Sequence, residues 1–209
     1  MTNFVDLINQ TADKFEAIIQ SRSSNLQEIP TEDFGWENTR WFSKEFRLAH
    51  VERFRQPKFS VLHTVIFPHV TDPAPIFGFD IIASDTKVTG VFFDRSPTIE
   101  CWGALSDQSF GTQRERPEWG DIFSAHWIAC KPNYAETQII CELACDVLNQ
   151  YIKRLTTTHS VKVHDIIQAQ NRYSLQQRKN THTTTVIRKL LGEARGEYFI
   201  NEILFPVIK

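Results

Sequence analysis

Phe59-Ser-Val-Leu-His63-Thr-Val-Ile-Phe67, then Ile76-Phe-Gly-Phe-Asp80-Ile-Ile-Ala83, then Val88-Thr-Gly-Val-Phe-Phe93 is the stretch that decides the fold. Each run is rich in β-branched and aromatic residues and is short enough for a strand. Arg55-Gln-Pro-Lys58 before the first run reads as a turn, and Ser84-Asp-Thr-Lys87 reads as a tight hairpin between the second and third. Connections this short favour an antiparallel meander over parallel crossovers. Working outward, Lys44–Phe54 predicts a further strand, and 97–104 and 125–130 are candidates for two more.

Both flanks of this β-rich centre read as helical. Phe4, Leu7, Ile8, Ala12, Phe15, Ile18 and Ile19 make one apolar stripe, which predicts a helix over 4–19. Residues 21–38 read as a loop. Asn133-x-x-Glu136 has the form of a capping box, followed by a face of Ile140, Ala144, Val147, Leu148, Tyr151, Ile152 and Leu155. Further helices are expected near 163–178, 181–192 and 195–204. The expected class is α+β, a three-layer α/β/α sandwich with a central antiparallel sheet. No internal repeat and no linker rich in Gly, Pro or Ser divides the chain, so residues 1–209 are expected to form a single domain.

Composition agrees with a packed core. Of 209 residues, 41% are hydrophobic and 12% aromatic, with 16 Phe and one Met, so the chain has the apolar mass that disordered chains lack. No run is long enough for a membrane helix, and the opening residues carry an early acid and no basic segment, so neither a membrane nor a secretory signal is expected. The four cysteines contain no C-x-x-C pair, which fits a reducing cytoplasm and speaks against a zinc ribbon or disulfide scaffold.

The net charge of −2 hides an asymmetry. Residues 151–190 hold Lys153, Arg154, Lys162, Arg172, Arg178, Lys179, Arg188 and Lys189 against the single acid Asp165. Such a field can attract an anionic partner, although a solvated helical surface is the plainer reading. Nucleic acid is disfavoured by the slightly acidic total and the absence of a recognition motif.

No dinucleotide fingerprint, phosphate loop, nucleophile elbow or zincin motif occurs, so redox chemistry would need an external electron source. The residues that stand out are His63 and Asp80, each set within an apolar strand. A carboxylate there is costly to bury ionised unless it is paired, hydrogen-bonded or protonated. Buried ionisable clusters of this kind favour functional sites, with a satisfied polar pair in a sheet as the competing reading. Strand alternation points His50 and Glu52 the same way one hairpin earlier. A metal site built from His50, His63 and Asp80 has no spacing signature to support it, and none is expected.

Leu62-His63-Thr-Val-Ile-Phe-Pro68, Pro75-Ile-Phe-Gly-Phe-Asp80 and Val88-Thr-Gly-Val-Phe-Phe-Asp94-Arg-Ser-Pro97 together resemble the ferredoxin-dependent bilin reductases, and most of all their phycocyanobilin-forming branch. The likeness continues through Arg114-Glu-Arg-Pro-Glu-Trp119, Gln176-Gln-Arg-Lys-Asn180 and Leu204-Phe205-Pro206. It implies an α/β/α sandwich that binds biliverdin IXα between the sheet and the C-terminal helices. It implies no metal or flavin, a 2Fe–2S ferredoxin as electron donor, and protons supplied by side chains. By position, His63 and Asp80 match the family's catalytic pair. Glu52, in Phe46-Arg-Leu-Ala-His50-Val-Glu52, matches a glutamate that protonates the D-ring vinyl group.

The turn before His63 is one residue shorter than in that branch. Glu52 therefore keeps its face if the turn absorbs the deletion and flips away if the strand does. Arg114 and Thr89 match propionate-binding positions, and Gln177 and Asn180 match polar residues over the bilin. His182 stands where a propionate-binding lysine is usual, and Val186 matches an apolar pocket residue. Relatives that form phycoerythrobilin via 15,16-dihydrobiliverdin usually carry aspartate where Asn180 stands. Formation of phycoerythrobilin, or a non-catalytic bilin carrier, are the alternatives to phycocyanobilin formation. The resemblance further implies a monomer whose basic 151–190 segment docks an acidic ferredoxin.

Overall fold

Strand β1 (Asn25–Ile29), β2 (Trp36–Phe42), β3 (Phe46–Gln56), β4 (Phe59–Pro68), β5 (Ile76–Ser84), β6 (Val88–Ser96) and β7 (Ile128–Cys130) pair in chain order, every neighbour antiparallel. The computed structural model describes residues 4–29, 35–102, 115, 118–125, 127–155 and 162–209. Helices α1 (Phe4–Gln20) and α2 (Tyr134–Arg154) cover one face of the sheet. Helices α3 (Val163–Gln177), α4 (Thr181–Leu191) and α5 (Glu193–Tyr198), with the π-helical turn Phe199–Leu204, lie on the other. This is the α+β sandwich that the sequence pattern predicts.

The two faces differ in kind. On the α1/α2 side, Leu62, Ile66, Phe77, Phe79, Ile81 and Phe93 form one continuous apolar cluster with Ile8 and Phe15 of α1 and Ile140, Ala144 and Leu148 of α2. The Phe15 ring sits 5.3 Å from that of Phe79, and the Tyr151 hydroxyl donates to the Pro75 carbonyl at 2.8 Å. The opposite face carries smaller clusters, one around Leu48, Val65, Phe67 and Ile76 and one around Trp36, Ile187 and Phe199. Between them lie polar side chains. A bulge between Phe46 and Leu48 switches β3 from one face to the other, so that both residues are buried on opposite sides.

Three sequence expectations need correction. The loop expected over 21–38 contains β1 and the start of β2. Strand β1 is an edge held by backbone pairing, and its described side chains, Asn25, Leu26 (54% exposed) and Gln27, are all exposed and leave no alternating pattern. Residues 97–102 form no strand; the Thr98 hydroxyl instead ties this segment to the carbonyls of Pro73 and Ala74, while 103 and 104 lie outside the described residues. The strand expected over 125–130 shortens to Ile128–Cys130. The capping box at Asn133 and Glu136 is formed as read, with both reciprocal bonds present. No described helix is long and apolar enough to cross a membrane.

Candidate active site

Glu52 of β3, His63 of β4 and Asp80 of β5 lie directly opposite one another, on one rung of the sheet. The sequence places them there by period-two alternation, because each sits on the face that looks toward α3 and α4. The β3–β4 turn is only Pro57-Lys58, with Gln56 paired to Phe59, so the shortened turn leaves the strand register intact. Glu52 therefore keeps the face it shares with His63.

His63 Nδ1 and Asp80 Oδ1 are 2.6 Å apart, and the two side chains are 14% and 25% exposed. His63 Nε2 is buried and has no hydrogen-bond partner among the described residues. Burial alone disfavours the charged ring, but the charge and hydrogen bond of Asp80, with Glu52 behind them, outweigh it and raise the His63 pKa above 6.5. Glu52 accepts a 2.6 Å hydrogen bond from the Trp36 indole. Burial pushes its carboxyl above the usual range; His63 and Trp36 pull against that, and Asp80 adds to it. The rung thus holds a carboxyl that favours its proton beside an imidazole that favours its own.

His50 lies one rung away, fully buried, with its ring 6.3 Å from that of His63. Its Nε2 donates to Asn38 Oδ1 at 2.9 Å, which leaves Nδ1 as an unpartnered acceptor among the described residues. Burial, then the nearby His63 and Arg40, hold its pKa well below 6.5, so His50 is neutral near pH 7.

Above the rung is a cavity of about 590 Å³. Its floor is Glu52, His63 and Asp80 with Val61, Ile82 and Phe92; its roof includes Asn180, Thr183, Ile187 and Leu190 of the α3–α4 region. Leu204 and Phe205 close one side, and the Phe205 ring stands edge-on to His63 at 6.1 Å. Arg178, at the end of α3, holds that side by donating to the carbonyls of Asn201 and Phe205. Phe92, Phe123 and Trp127 form a stacked aromatic wall at one edge of the sheet.

Most residues singled out in the sequence line this cavity, with varied availability. The Thr89 hydroxyl donates to the Ile82 carbonyl. The Gln177 amide donates to the Ile122 carbonyl and so holds the segment that carries Phe123. The Asn180 side chain is the N-cap of α4 and accepts from the backbone N–H groups of His182 and Thr183. His182 and Val186 are at the exposed side of the cavity. His50 does not line it, and Arg114 lies outside the described residues. Sequence reasoning missed Trp36, Phe205 and Lys131. Trp36 opens a strand that pattern alone did not reveal, and the other two reach the cavity from distant parts of the chain. No group of three or more described His, Cys, Asp or Glu side chains is arranged to hold a metal ion.

The family model for ferredoxin-dependent bilin reductases matches residues 8–206. This chain belongs to that family. The bilin reductase is 28% identical to the phycocyanobilin:ferredoxin oxidoreductase of Trichodesmium erythraeum (strain IMS101), over 95% of this chain and 92% of that one. It is 31% identical to the protein of the same name from Prochlorococcus marinus (strain MIT 9515), over 81% of this chain and 76% of the other. Among solved structures it is similar to that of PcyX, with TM-score 0.68, 27% identity, and coverage of 97% of this chain and 99% of that one. The fold is shared as well with tomato phytochromobilin synthase in complex with biliverdin, at TM-score 0.67 and 14% identity, over 95% and 81% of the two chains. The protein is accordingly an enzyme of the bilin reductase family, and its titratable rung faces a cavity between the sheet and the C-terminal helices.

Proposed function

We propose that the protein reduces biliverdin IXα to a phycobilin, phycocyanobilin in the first instance, with electrons taken singly from a 2Fe–2S ferredoxin. The observation that carries this is the Glu52–His63–Asp80 rung on the floor of an apolar cavity. Adding two hydrogens across a double bond of the tetrapyrrole takes two electrons and two protons. Ferredoxin supplies the electrons, so the protein's part is to place the protons. Asp80, hydrogen-bonded to His63, shares or donates a proton at the lactam and pyrrole end of the bilin. His63 holds and relays it, and His50 lies behind as a neutral acceptor. Glu52, whose carboxyl favours protonation, faces the same cavity and is assigned the D-ring vinyl group.

In the phycoerythrobilin alternative the residue at position 180 would act as a proton donor. Asn180 has no acidic proton, and its side-chain oxygen caps α4, which favours phycocyanobilin. A non-catalytic carrier would have no use for three coupled titratable groups beneath its ligand. The working unit is taken to be residues 1–209 as a single domain, a cytoplasmic monomer that docks ferredoxin near the 151–190 segment. Anaerobic incubation with biliverdin and reduced ferredoxin, followed by chromatography and absorption spectroscopy, tests the reading. Phycocyanobilin is the expected product; unreduced biliverdin would refute the proposed activity, and phycoerythrobilin the assigned product.

A further inference from the structure

The cavity floor carries two carboxyl groups, Glu52 and Asp80, whereas biliverdin carries two propionate carboxylates. On the biliverdin reading the floor is given to the lactam and pyrrole end of the bilin, so the propionates reach other parts of the lining. The polar groups elsewhere in the lining are largely engaged. The Thr89 hydroxyl hydrogen goes to the Ile82 carbonyl, the Gln177 amide to the Ile122 carbonyl, and the Asn180 oxygen to two backbone N–H groups.

Lys131 is different. On β7, Ile128 and Cys130 belong to the core on the α1/α2 side, while Ala129 pairs with Phe92, a residue of the cavity floor. Continued alternation brings Lys131 to the cavity face, where it is exposed and lines the cavity beside Thr89 and Gly90. It makes no ion pair or hydrogen bond with any described residue.

We propose that Lys131 anchors a carboxylate of the bound tetrapyrrole, pairing with one propionate at the β6–β7 edge of the cavity. The inference rests on the biliverdin reading. An ammonium here draws the charged end of the ligand toward the rim and leaves its conjugated rings over the His63–Asp80 rung.

The test is an absorbance titration of wild type, Lys131→Met and Lys131→Arg with biliverdin IXα and with its dimethyl ester, which lacks the carboxylate charges. Lys131→Met should weaken biliverdin binding roughly fivefold, as a solvent-accessible charge pair warrants, and leave ester binding unchanged. Lys131→Arg should retain wild-type preference for the free acid. Equal weakening of both ligands by Lys131→Met, or no weakening of either, would overturn the assignment. A wild-type protein that binds neither tetrapyrrole would instead overturn the functional reading on which it rests.

Discussion

Asp80 and His63, each set within an apolar strand, are joined by a 2.6 Å hydrogen bond, and the states of the pair differ by the position of one proton. Both are legible in the sequence because a charged residue inside an apolar strand breaks the pattern that folding alone would select. Trp36 is not, because its hydrogen bond to Glu52 depends on strand register rather than on any local motif. Glu52→Gln should stall reduction of the D-ring vinyl group and leave A-ring chemistry intact, which product chromatography would reveal; unaltered product would remove Glu52 from the mechanism. His50 makes a separate prediction about stability. Its folded pKa is depressed below 6.5, so as pH falls through 6.5 the unfolded chain takes a proton that the folded chain refuses. Stability from this group is present above that pH and lost below it. Glu52 and His63, with raised values, act in the opposite sense, so the comparison must be between variants. Relative to wild type, His50→Gln should gain stability on acidification from about pH 7 to about pH 5, read from urea midpoints. Parallel pH profiles would show that His50 is not held neutral.

Strands β3 to β6 follow the sequence pattern nearly to the residue because their apolar runs are long and bounded by turns, and α2 does because its capping box is explicit in the sequence. Strand β1 and the start of β2 escape it because an edge strand needs only backbone pairing, and because Trp36–Phe42 alternates large and polar residues on both faces. The C-terminal helix, one piece over 195–204 by pattern, divides into α5 and a π-helical turn, which brings Leu204 and Phe205 to the cavity. Arg178 fixes that turn through three hydrogen bonds to carbonyls, a contact between elements that no local pattern encodes. Arg178→Gln should cost about 1–3 kcal/mol of stability, the range for losing hydrogen bonds to a charged donor. It should also loosen Phe205 from His63, seen as weaker biliverdin binding. A variant with wild-type unfolding midpoint and affinity would show that the clamp is dispensable.

At the scale of the molecule, the sheet separates a packed apolar layer from a layer that holds the site, and most of the basic segment lies on the latter side. Not all of that charge is available to a partner. Arg188 pairs with Glu193 and Glu197, Arg178 binds backbone carbonyls, and Arg154 rests over the Trp102 ring. Arg172, Lys179 and Lys189 are exposed and have no carboxylate partner among the described residues. Lys179→Glu with Lys189→Glu should therefore raise the ferredoxin concentration needed for half-maximal turnover and flatten its salt dependence, since exposed charges are screened within about 8–10 Å at physiological salt. An unchanged ferredoxin requirement would place docking elsewhere. The central claim is that the His63–Asp80 couple supplies protons to a reduced bilin, and a single-turnover reaction of Asp80→Asn tests it most directly. Asn preserves shape and most hydrogen bonding but cannot donate a carboxylic proton. With biliverdin bound and ferredoxin reduced, anaerobic absorption and electron paramagnetic resonance should show electron uptake, a persistent bilin radical, and product formation slowed by about 10²–10⁴-fold. Normal product at the wild-type rate would contradict the account and return His63 and Asp80 to a structural pair in the sheet.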